Sequence, residues 1–318
     1  MRAAAPQVSI GLPVYNGEPF LVEALDALLG QTFTDFELII SDNASTDNTE
    51  DICREYVARD DRIRYVRQLR NVGVAENHRI VVDLARGELF KWVGHDDLYA
   101  RDYLERCVGV LETQPDVVLS TCLSALIAED AKIKKVITEC PRDSDAPSAR
   151  DRYRGFLHAV TGDDDYGVIR IATMRRTSFS ESYYHADRSF VAELSLYGRI
   201  HRIPEPLYFR RDRPDRAGRP KQTIRGWCST HDPRRANRWR HPVVRLLAEY
   251  LWSFVAGIIR APIPIWVKAQ CLADLAWYLA KRAVGRSQIV DCSELLPEID
   301  PLSIDVDAVV AGRGRRKR

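Results

Sequence analysis

The chain has 318 residues, of which 45% are hydrophobic and 29% are charged, so it is long enough for one large or two modest domains with a substantial core. Its 47 basic and 45 acidic residues leave a formal net charge of only +2, which gives no basis for a general nucleic-acid-binding protein. Its seven cysteines are scattered without a C-x-x-C pair, which argues against a zinc site or a disulfide framework.

The first 125 residues alternate short apolar segments with longer segments of helical periodicity. Strands are predicted at residues 8–12, 36–40, 63–66, 89–93 and 117–123. Apolar residues at helical spacing predict helices between them, and Gly30 and Gly87 are typical of helix ends. This alternation favours an α/β fold with a mostly parallel sheet flanked by helices.

Polar residues follow four of these strands in turn. They are Tyr15 and Asn16, then Asp42–Asp47, then Asn71, then Asp96 and Asp97. Ligands of parallel sheets gather at the carboxyl ends of the strands. One polar strand end is expected of any turn, whereas four predict a single polar cleft.

Asp96 and Asp97 come directly after the apolar segment Leu89–Val93. Paired carboxylates at a strand end provide the hard oxygen ligands that a divalent cation prefers, usually shared with the phosphates of a substrate. The alternative is that one of them caps the following helix, predicted over Asp102–Gln114.

Residues 126–215 are less regular. We predict a loop over Asp143–Arg152, a strand over Val168–Thr173, a helix over Phe190–Tyr197 and a final strand over Pro206–Arg210. Residues 216–241 are rich in Arg, Gly and Pro and are interpreted as a basic linker.

Residues 242–290 are predicted to form an amphipathic helical hairpin, and residues 291–318 a flexible tail. Charged residues interrupt the apolar segments of the hairpin, so neither is suited to span a bilayer. The hairpin either packs on the domain or lies on a membrane surface through residues 243–283. Because Met1–Pro6 lacks the apolar core of a signal peptide, we expect a cytoplasmic protein, with any membrane contact peripheral and at the inner face.

Four stretches occur together in the first 100 residues, at positions 8–16, 38–47, 70–77 and 92–99. In their order and spacing the chain resembles family-2 glycosyltransferases, the inverting nucleotide-sugar enzymes of GT-A fold. The resemblance implies a GT-A domain over residues 1–215, with a nucleotide-sugar half at 1–125 and an acceptor half at 126–215. Each stretch alone is a weak motif, and the set is specific.

The resemblance also implies roles for individual residues. A nucleotide pocket would be formed by Pro13, Tyr15, Asp42, Asn71, Asn77 and Asp96. Mg²⁺ or Mn²⁺ would be bound by Asp96 and Asp97. The sequence departs from the family's Asp-x-Asp motif because its first position is Gly94.

The resemblance places a catalytic base late in the domain, at the start of a helix, which corresponds to Asp187. The alternative role of Asp187 is to cap that helix. Glu193 is a rival candidate that is more typical of a surface or salt-bridge residue. Asp163–Asp165 is a further acidic cluster, typical of a solvated loop.

The predicted activity is transfer of a sugar from a nucleotide-diphosphate sugar to a hydroxyl of a glycan, glycolipid or other lipid-linked acceptor. A nucleotidyltransferase is an alternative, but it would need a Gly-rich loop with Lys or Arg after the first strand, which Pro13–Asn16 is not. A non-catalytic nucleotide-sugar-binding assembly protein is the other alternative, suggested by Gly94.

Overall fold

The computed structural model describes residues 5–137, 141, 143–158, 164–213, 223–283 and 304–311. Its strands are β1 (Val8–Val14), β2 (Phe36–Asp42), β3 (Ile63–Arg67), β4 (Leu89–Trp92), β5 (Leu98–Tyr99), β6 (Val117–Ile127), β7 (Ile133–Ile137), β8 (Val168–Arg170) and β9 (Arg199–Arg211). Its helices are α1 (Glu18–Leu29), α2 (Thr49–Arg59), α3 (Val74–Asp83), α4 (Tyr103–Thr113), α5 (Ala149–His158), α6 (Ile171–Met174), α7 (Ala186–Leu194), α8 (Ile224–His231), α9 (Val243–Arg260), α10 (Ile265–Ala283) and α11 (Val306–Val310).

The nine strands form one sheet in the order β3-β2-β1-β4-β8-β6-β9-β5, with β7 paired to β6. The neighbours β3, β2, β1 and β4 are parallel, as the sequence predicts. Strand β2 is buried at every position, which fits a central parallel strand covered on both faces. The register sets Val14 opposite Asp42, so the segments that follow β1 and β2 leave the sheet side by side.

The second half of the sheet is mixed. Strand β8 runs antiparallel to β4 and β6, whereas β9 runs parallel to β6 along nearly its whole length. The short strand β5 pairs antiparallel with the end of β9, and Leu98 lies opposite Phe209. This pairing brings the residues after β4 next to the last residues of β9.

Several elements of this half differ from the sequence prediction. The predicted strand at 168–173 ends at Arg170 because α6 begins at Ile171. The last strand begins at Arg199 rather than Pro206 and pairs with β6 despite its alternating polar residues. The end of the predicted loop, residues 149–152, belongs to α5, whose Tyr153 and Leu157 are buried. In each case tertiary packing, against the sheet or against neighbouring helices, outweighs the weak local pattern.

Part of the predicted linker is structured. Residues 224–231 form α8, which begins at the capping residue Thr223 and buries Cys228. A 3₁₀ turn at Pro233–Ala236 follows, capped by Asp232. The linker interpretation is therefore wrong for residues 223–241, while residues 216–222 lie outside the described part of the chain. This polar segment has no regular apolar stripe. The caps Thr223 and Asp232 and the buried Cys228 contribute to its structure instead.

The tail prediction is also wrong where it can be compared. Residues 304–311 include α11, whose Val306 is buried in the same core cluster as β1 and β6. The amide of Arg101 donates to the carbonyl of Val309 at 3.3 Å. The remaining residues of the predicted tail, 291–303 and 312–318, lie outside the described residues.

Helices α9 and α10 form the predicted hairpin. Helix α9 packs on α7, and α10 packs on α5, with Phe254 and Leu275 buried in one core cluster. Within the described ranges, we find no helix whose length and apolar character would let it cross a membrane.

Candidate functional site

A cleft of about 780 Å³ opens at the carboxyl ends of β1, β2 and β4. One wall is formed by residues that follow these strands, and another by the first residues of α3 and α7. The end of β9 and one side of α8 complete the lining. Three of the four strand ends that the sequence analysis selected therefore meet around one cavity.

Four of the six predicted nucleotide-pocket residues line this cleft directly, namely Pro13, Tyr15, Asn77 and Asp96. Pro13 lies near the end of β1 and Tyr15 directly follows the strand, where it is 45% exposed. Asn77 is buried in the first turns of α3, where its amide Nδ2 donates to the Ser41 carbonyl at 2.9 Å. Its Oδ1 accepts from the Ser41 hydroxyl at 2.7 Å. Asn77 thus ties α3 to β2 and holds the cleft floor.

Asp42 lies behind the cleft rather than in its lining. Its carboxylate accepts hydrogen bonds from the Ser45 amide and the Tyr65 hydroxyl, both at 2.8 Å, and pairs with Arg67 at 3.3 Å. The following residue, Asn43, lines the cleft. Direct contact between Asp42 and a nucleotide stays a prediction, whereas its support of the turn is visible.

Asn71 acts on the cleft through Asn43. Its Oδ1 accepts from Asn43 Nδ2 at 3.1 Å and from the Gly73 amide at 2.9 Å. Asn43 Oδ1 in turn accepts from the Val72 amide at 2.8 Å. This pair of amides orders the loop that leads into α3, and Asn71 is not part of the lining.

Asp96 lies at the cleft floor and is buried, with only 1% of its surface exposed. Its Oδ2 lies 3.1 Å from Nε of Arg213. The same guanidinium contacts His95 Nε2 at 3.2 Å. A charge-assisted pair of this kind orients the Asp96 carboxylate.

Asp97 has a different environment. Its Oδ2 accepts from the Tyr208 hydroxyl at 2.8 Å, and its Oδ1 accepts from the Arg211 amide at 3.1 Å. A Cβ atom built on Gly94 would lie only 2.4 Å from Asp97 Oδ2. The Asp97 carboxylate therefore fills the space that a side chain at position 94 would need, which explains the glycine there.

Arg211 fastens this acidic loop to the rest of the domain. It is fully buried, its Nε donates to the Asp96 carbonyl at 2.9 Å, and its Nη2 donates to Glu23 Oε2 at 2.6 Å. Its guanidinium also lies 4.6 Å from the Phe20 ring centroid. One side chain from the end of β9 thus links the loop after β4 to α1.

These contacts decide how a divalent cation would fit. Asp96 provides a hard carboxylate in the cleft, suited to be one ligand beside diphosphate oxygens. Asp97 lines the cleft too, but each of its oxygens already accepts a hydrogen bond from β9, so its role as a second ligand stays a prediction. Within the described residues, no three or more His, Cys, Asp or Glu side chains cluster as a metal site.

Asp187 lines the opposite wall, in the first turn of α7. The residue that caps this helix is His185, which has a left-handed backbone with φ of 49°. The capping role considered for Asp187 is therefore absent. Asp187 Oδ1 is buried and accepts no hydrogen bond from any described residue, so the hydrogen bonds of the described residues leave this carboxylate oxygen unused.

Glu193 is a structural residue. It is buried, and both of its oxygens accept from Arg260 of α9, at 3.0 and 2.9 Å. It also accepts from the Ser178 hydroxyl at 2.7 Å. Glu193 does not line the cleft, and its ion pair joins α7 to the hairpin.

The acidic cluster of residues 163–165 is divided. Asp164 is buried and ion-paired with Arg202, whereas Asp165 lines the cleft. Asp163 lies outside the described residues. The cluster is thus neither a wholly solvated loop nor a set of converging ligands.

Other cleft residues carry weak or no sequence signals. Trp227 and His231 belong to the segment interpreted as a linker, and no local pattern marks them. His78 follows a helical period, and burial lowers its pKa to about 4, so its imidazole is neutral at pH 7. Arg210 and Arg213 lie in a run of basic residues at the end of β9, which has no motif of its own.

Comparison with known proteins identifies glycosyltransferases among the relatives of this chain. GlyG, a glycosyltransferase of Streptococcus pneumoniae, is 33% identical over 113 residues, which is 35% of this chain and 38% of GlyG. Chondroitin synthase of Escherichia coli is 36% identical over 103 residues, or 32% of this chain and 15% of the synthase. The chain thus spans well under half the length of these relatives.

Among solved structures, TarS residues 1–349 of S. aureus in complex with UDP has a TM-score of 0.61 at 16% identity. The match covers 91% of this chain and 77% of that chain. It confirms the GT-A type of fold predicted from the sequence. The model of the family described as "Glycosyl transferase family 2" matches residues 9–181, more than half of the chain. The chain therefore belongs to glycosyl transferase family 2.

Proposed function

We propose that the chain is an inverting glycosyltransferase that uses a nucleotide-diphosphate sugar, with Asp187 as the catalytic base. The observation that carries this proposal is the Asp187 carboxylate, which belongs to the lining of the cleft and whose Oδ1 accepts no hydrogen bond from the described residues. Asp96 lies in the lining of the same cavity. A displacement at a sugar carbon requires a base for the attacking hydroxyl and a group that neutralises the leaving diphosphate. Asp187 would be the base, and a metal held by Asp96 would neutralise the diphosphate.

In this reaction an acceptor hydroxyl attacks the anomeric carbon, and its proton passes to the Asp187 carboxylate. The bond from the anomeric carbon to the diphosphate oxygen breaks, and the nucleoside diphosphate leaves with the electron pair. Because the attack comes from the side opposite the leaving group, the configuration inverts. Arg210 and Arg213 provide positive charge in the lining, where the diphosphate would lie.

We propose Asp96 as the protein ligand of Mg²⁺ or Mn²⁺, and leave Asp97 to its role in holding the loop. When bound, the metal would neutralise charge on the departing diphosphate. The Arg213 guanidinium pairs with one oxygen of Asp96. When donor and metal bind, the Asp96 carboxylate would therefore contact both Arg213 and the metal ion.

We propose a uridine diphosphate sugar as the first donor to test, because the TarS structures with similar folds are complexes with UDP and UDP-GlcNAc. The proposed acceptor is a hydroxyl of a glycan, glycolipid or lipid-linked sugar. Peripheral contact of residues 243–283 with the inner face of a membrane is part of this proposal, since such acceptors are held there.

A non-catalytic nucleotide-sugar-binding protein is the second candidate, favoured by Gly94 and by the ion pair that engages Asp96. Thermal shift with a panel of nucleoside diphosphates, with and without Mn²⁺, identifies the nucleotide by its stabilisation of the folded state. Hydrolysis of the matching nucleotide sugar then separates the two candidates. Metal-stimulated hydrolysis that is lost in Asp187→Asn supports the enzyme, whereas binding without any turnover supports the second candidate.

A further inference from the structure

The apolar surface of the protein is concentrated on the helical hairpin. Of the fifteen large apolar side chains that are strongly exposed among the described residues, eleven lie between positions 239 and 277. Four of them are Trp239, Trp252, Trp266 and Trp277, which are 85%, 62%, 66% and 62% exposed. Scattered apolar residues are normal on a protein surface, but a contiguous patch indicates an interaction site.

Helix α9 is apolar on two opposite faces. Leu246, Phe254 and Ile258 are buried against the domain, whereas Val244, Leu251 and Ile259 recur seven and eight residues apart on the exposed side. An ordinary surface helix has one apolar stripe and a polar outer face. Among the described residues, the outer stripe of α9 therefore takes no part in the packing of the domain.

Helix α10 continues the same surface. Its buried residues Cys271, Leu275 and Tyr278 face α5, while Ile265, Trp266 and Trp277 lie on the exposed side. We call the exposed side of α9 and α10, together with Trp239, the hairpin face. Because the opposite side of each helix packs on the domain, the hairpin face can be covered from one direction only.

The charges around the hairpin face are strongly one-sided. Residues 238–283 contain seven basic and two acidic residues, an excess of five positive charges. Both acidic residues are engaged within the protein, Glu249 with Arg235 and Arg245, and Asp274 with Arg150. Arg245 and Arg260 are engaged as well, with Glu249 and Glu193. The five other basic residues of this range are the ones that an anionic partner could contact.

Two of the exposed tryptophans have cations beside them. The Arg238 guanidinium lies 5.7 Å from the Trp239 ring centroid, and the Lys281 ammonium lies 5.1 Å from that of Trp277. Tryptophan with Lys or Arg beside an apolar stripe is the composition of helices that lie in the headgroup layer of a bilayer. The two pairs lie at the two ends of residues 238–283. Their charged groups would stay at the headgroups and so limit how deeply the hairpin face enters the bilayer.

We infer that the hairpin face lies in the interfacial layer of an anionic lipid membrane. A second copy of the chain is a poorer occupant, because it would bring two surfaces with the same positive excess together. Anionic headgroups instead neutralise the basic residues while the acyl chains cover the apolar stripe.

The hairpin face is connected to the cleft by direct contacts. Arg225 of α8 donates to the His241 carbonyl at 2.7 Å, and Arg235 joins Ser182 to Glu249 of α9. Trp227 and His231 of α8 line the cleft. Docking of the hairpin face would thus hold this wall of the cleft near the lipid headgroups. If the proposed transfer is correct, this arrangement favours an acceptor hydroxyl on a lipid-linked molecule.

The test is co-sedimentation of the full chain with vesicles, without donor. Vesicles of neutral phosphatidylcholine are compared with vesicles that also contain phosphatidylglycerol, at low and at high salt. We expect binding to the anionic vesicles at low salt, and loss of most of it at high salt, where charges are screened. The double variant Trp252→Ala/Trp266→Ala should weaken binding by at least about tenfold.

Leu69→Ala is the matched control, because Leu69 is a fully exposed apolar residue outside the hairpin face and its variant should bind as the wild type does. Absence of binding to anionic vesicles at low salt overturns the inference. So does a dimer, seen by sedimentation equilibrium, that Trp252→Ala/Trp266→Ala dissociates. Donor hydrolysis without vesicles is measured in parallel, so that a lost membrane contact and a lost enzymatic activity are told apart.

Discussion

Asp187 and Glu193 lie on the same helix, and their hydrogen bonds separate their roles. Glu193 has two oxygens held by Arg260 and Ser178, whereas Asp187 Oδ1 accepts from no described residue. From the sequence, both were candidates for the base. The distinction needs the partner residues, which come from segments that sequence spacing does not connect to α7.

We expect Asp187→Asn to lower turnover by about 10²–10⁴-fold, because a missing base acts only in the transition state. Donor affinity, measured by calorimetry, should stay within a few-fold of the wild-type value. Glu193→Gln is the comparison, and it should lower the melting temperature by weakening the buried ion pair with Arg260 while leaving turnover of the folded enzyme largely intact. Normal turnover in Asp187→Asn would assign the base to another residue.

We expect Asp96→Asn to lower transfer by about 10²-fold or more, since the amide keeps the shape but removes the charge that faces the diphosphate site. The circular dichroism spectrum should be unchanged, because the backbone contacts of this loop are made by Arg211. Turnover within a few-fold of wild type at saturating Mn²⁺ would exclude the metal role. Asp97→Asn should instead act mainly on stability.

At the scale of elements, the first four strands and the helices between them agree with their apolar periodicity. The boundaries differ by a few residues, as for α3, which ends at Asp83, before the helix end predicted at Gly87. The elements that were missed, such as α5 and the first half of β9, bury few apolar residues in a regular pattern. They form because β6 and α7 offer them a surface, which the local sequence does not contain.

The loop from Gly94 to Asp97 is an element whose packing has a testable consequence. We expect Gly94→Ala to lower the melting temperature, because the added Cβ would lie 2.4 Å from Asp97 Oδ2 and force that carboxylate away from Tyr208. Removing the hydrogen bond alone, in Tyr208→Phe, should cost about 1–3 kcal/mol of unfolding free energy. Gly109→Ala is a suitable control, since a Cβ there would meet no atom within 4 Å. Equal melting temperatures for the two Gly→Ala variants would contradict this account.

At the scale of the whole molecule, a buried charge connects the two halves of the sheet. Lys91 of β4 is fully buried, and its ammonium donates to the Tyr103 hydroxyl at 3.1 Å and to the carbonyl of Tyr166. The Tyr99 and Tyr103 ring centroids lie 4.3 and 4.2 Å from it. Burial lowers the pKa of Lys91 from 10.5 to about 8.

This pKa shift predicts a rise of stability with pH. Between pH 8 and 10.5 the unfolded chain binds more protons at Lys91 than the folded protein does, so its contribution to the unfolding free energy increases with pH. The raised pKa values of Tyr99 and Tyr103 act in the opposite direction only near and above pH 10. The unfolding free energy should therefore be measured with urea at pH 7.5 and at pH 9.5. We expect its change between the two pH values to favour the folded state more in wild type than in Lys91→Met. Parallel pH dependences of the two proteins would contradict the prediction.

The sequence by itself determined the α/β alternation, the polar strand ends and the family, because each is written in local periodicity or in short motifs along the first 100 residues. It also marked Asp96 and Asp187 as candidates. Tertiary structure alone decided that Asp97 supports the loop, that Glu193 is an ion-pair residue and that α8 forms a wall of the cleft. The physical reason is that these roles depend on hydrogen-bond partners far away in sequence, such as Tyr208 for Asp97 and Arg260 for Glu193. Only the folded sheet brings such partners within about 3 Å of each other.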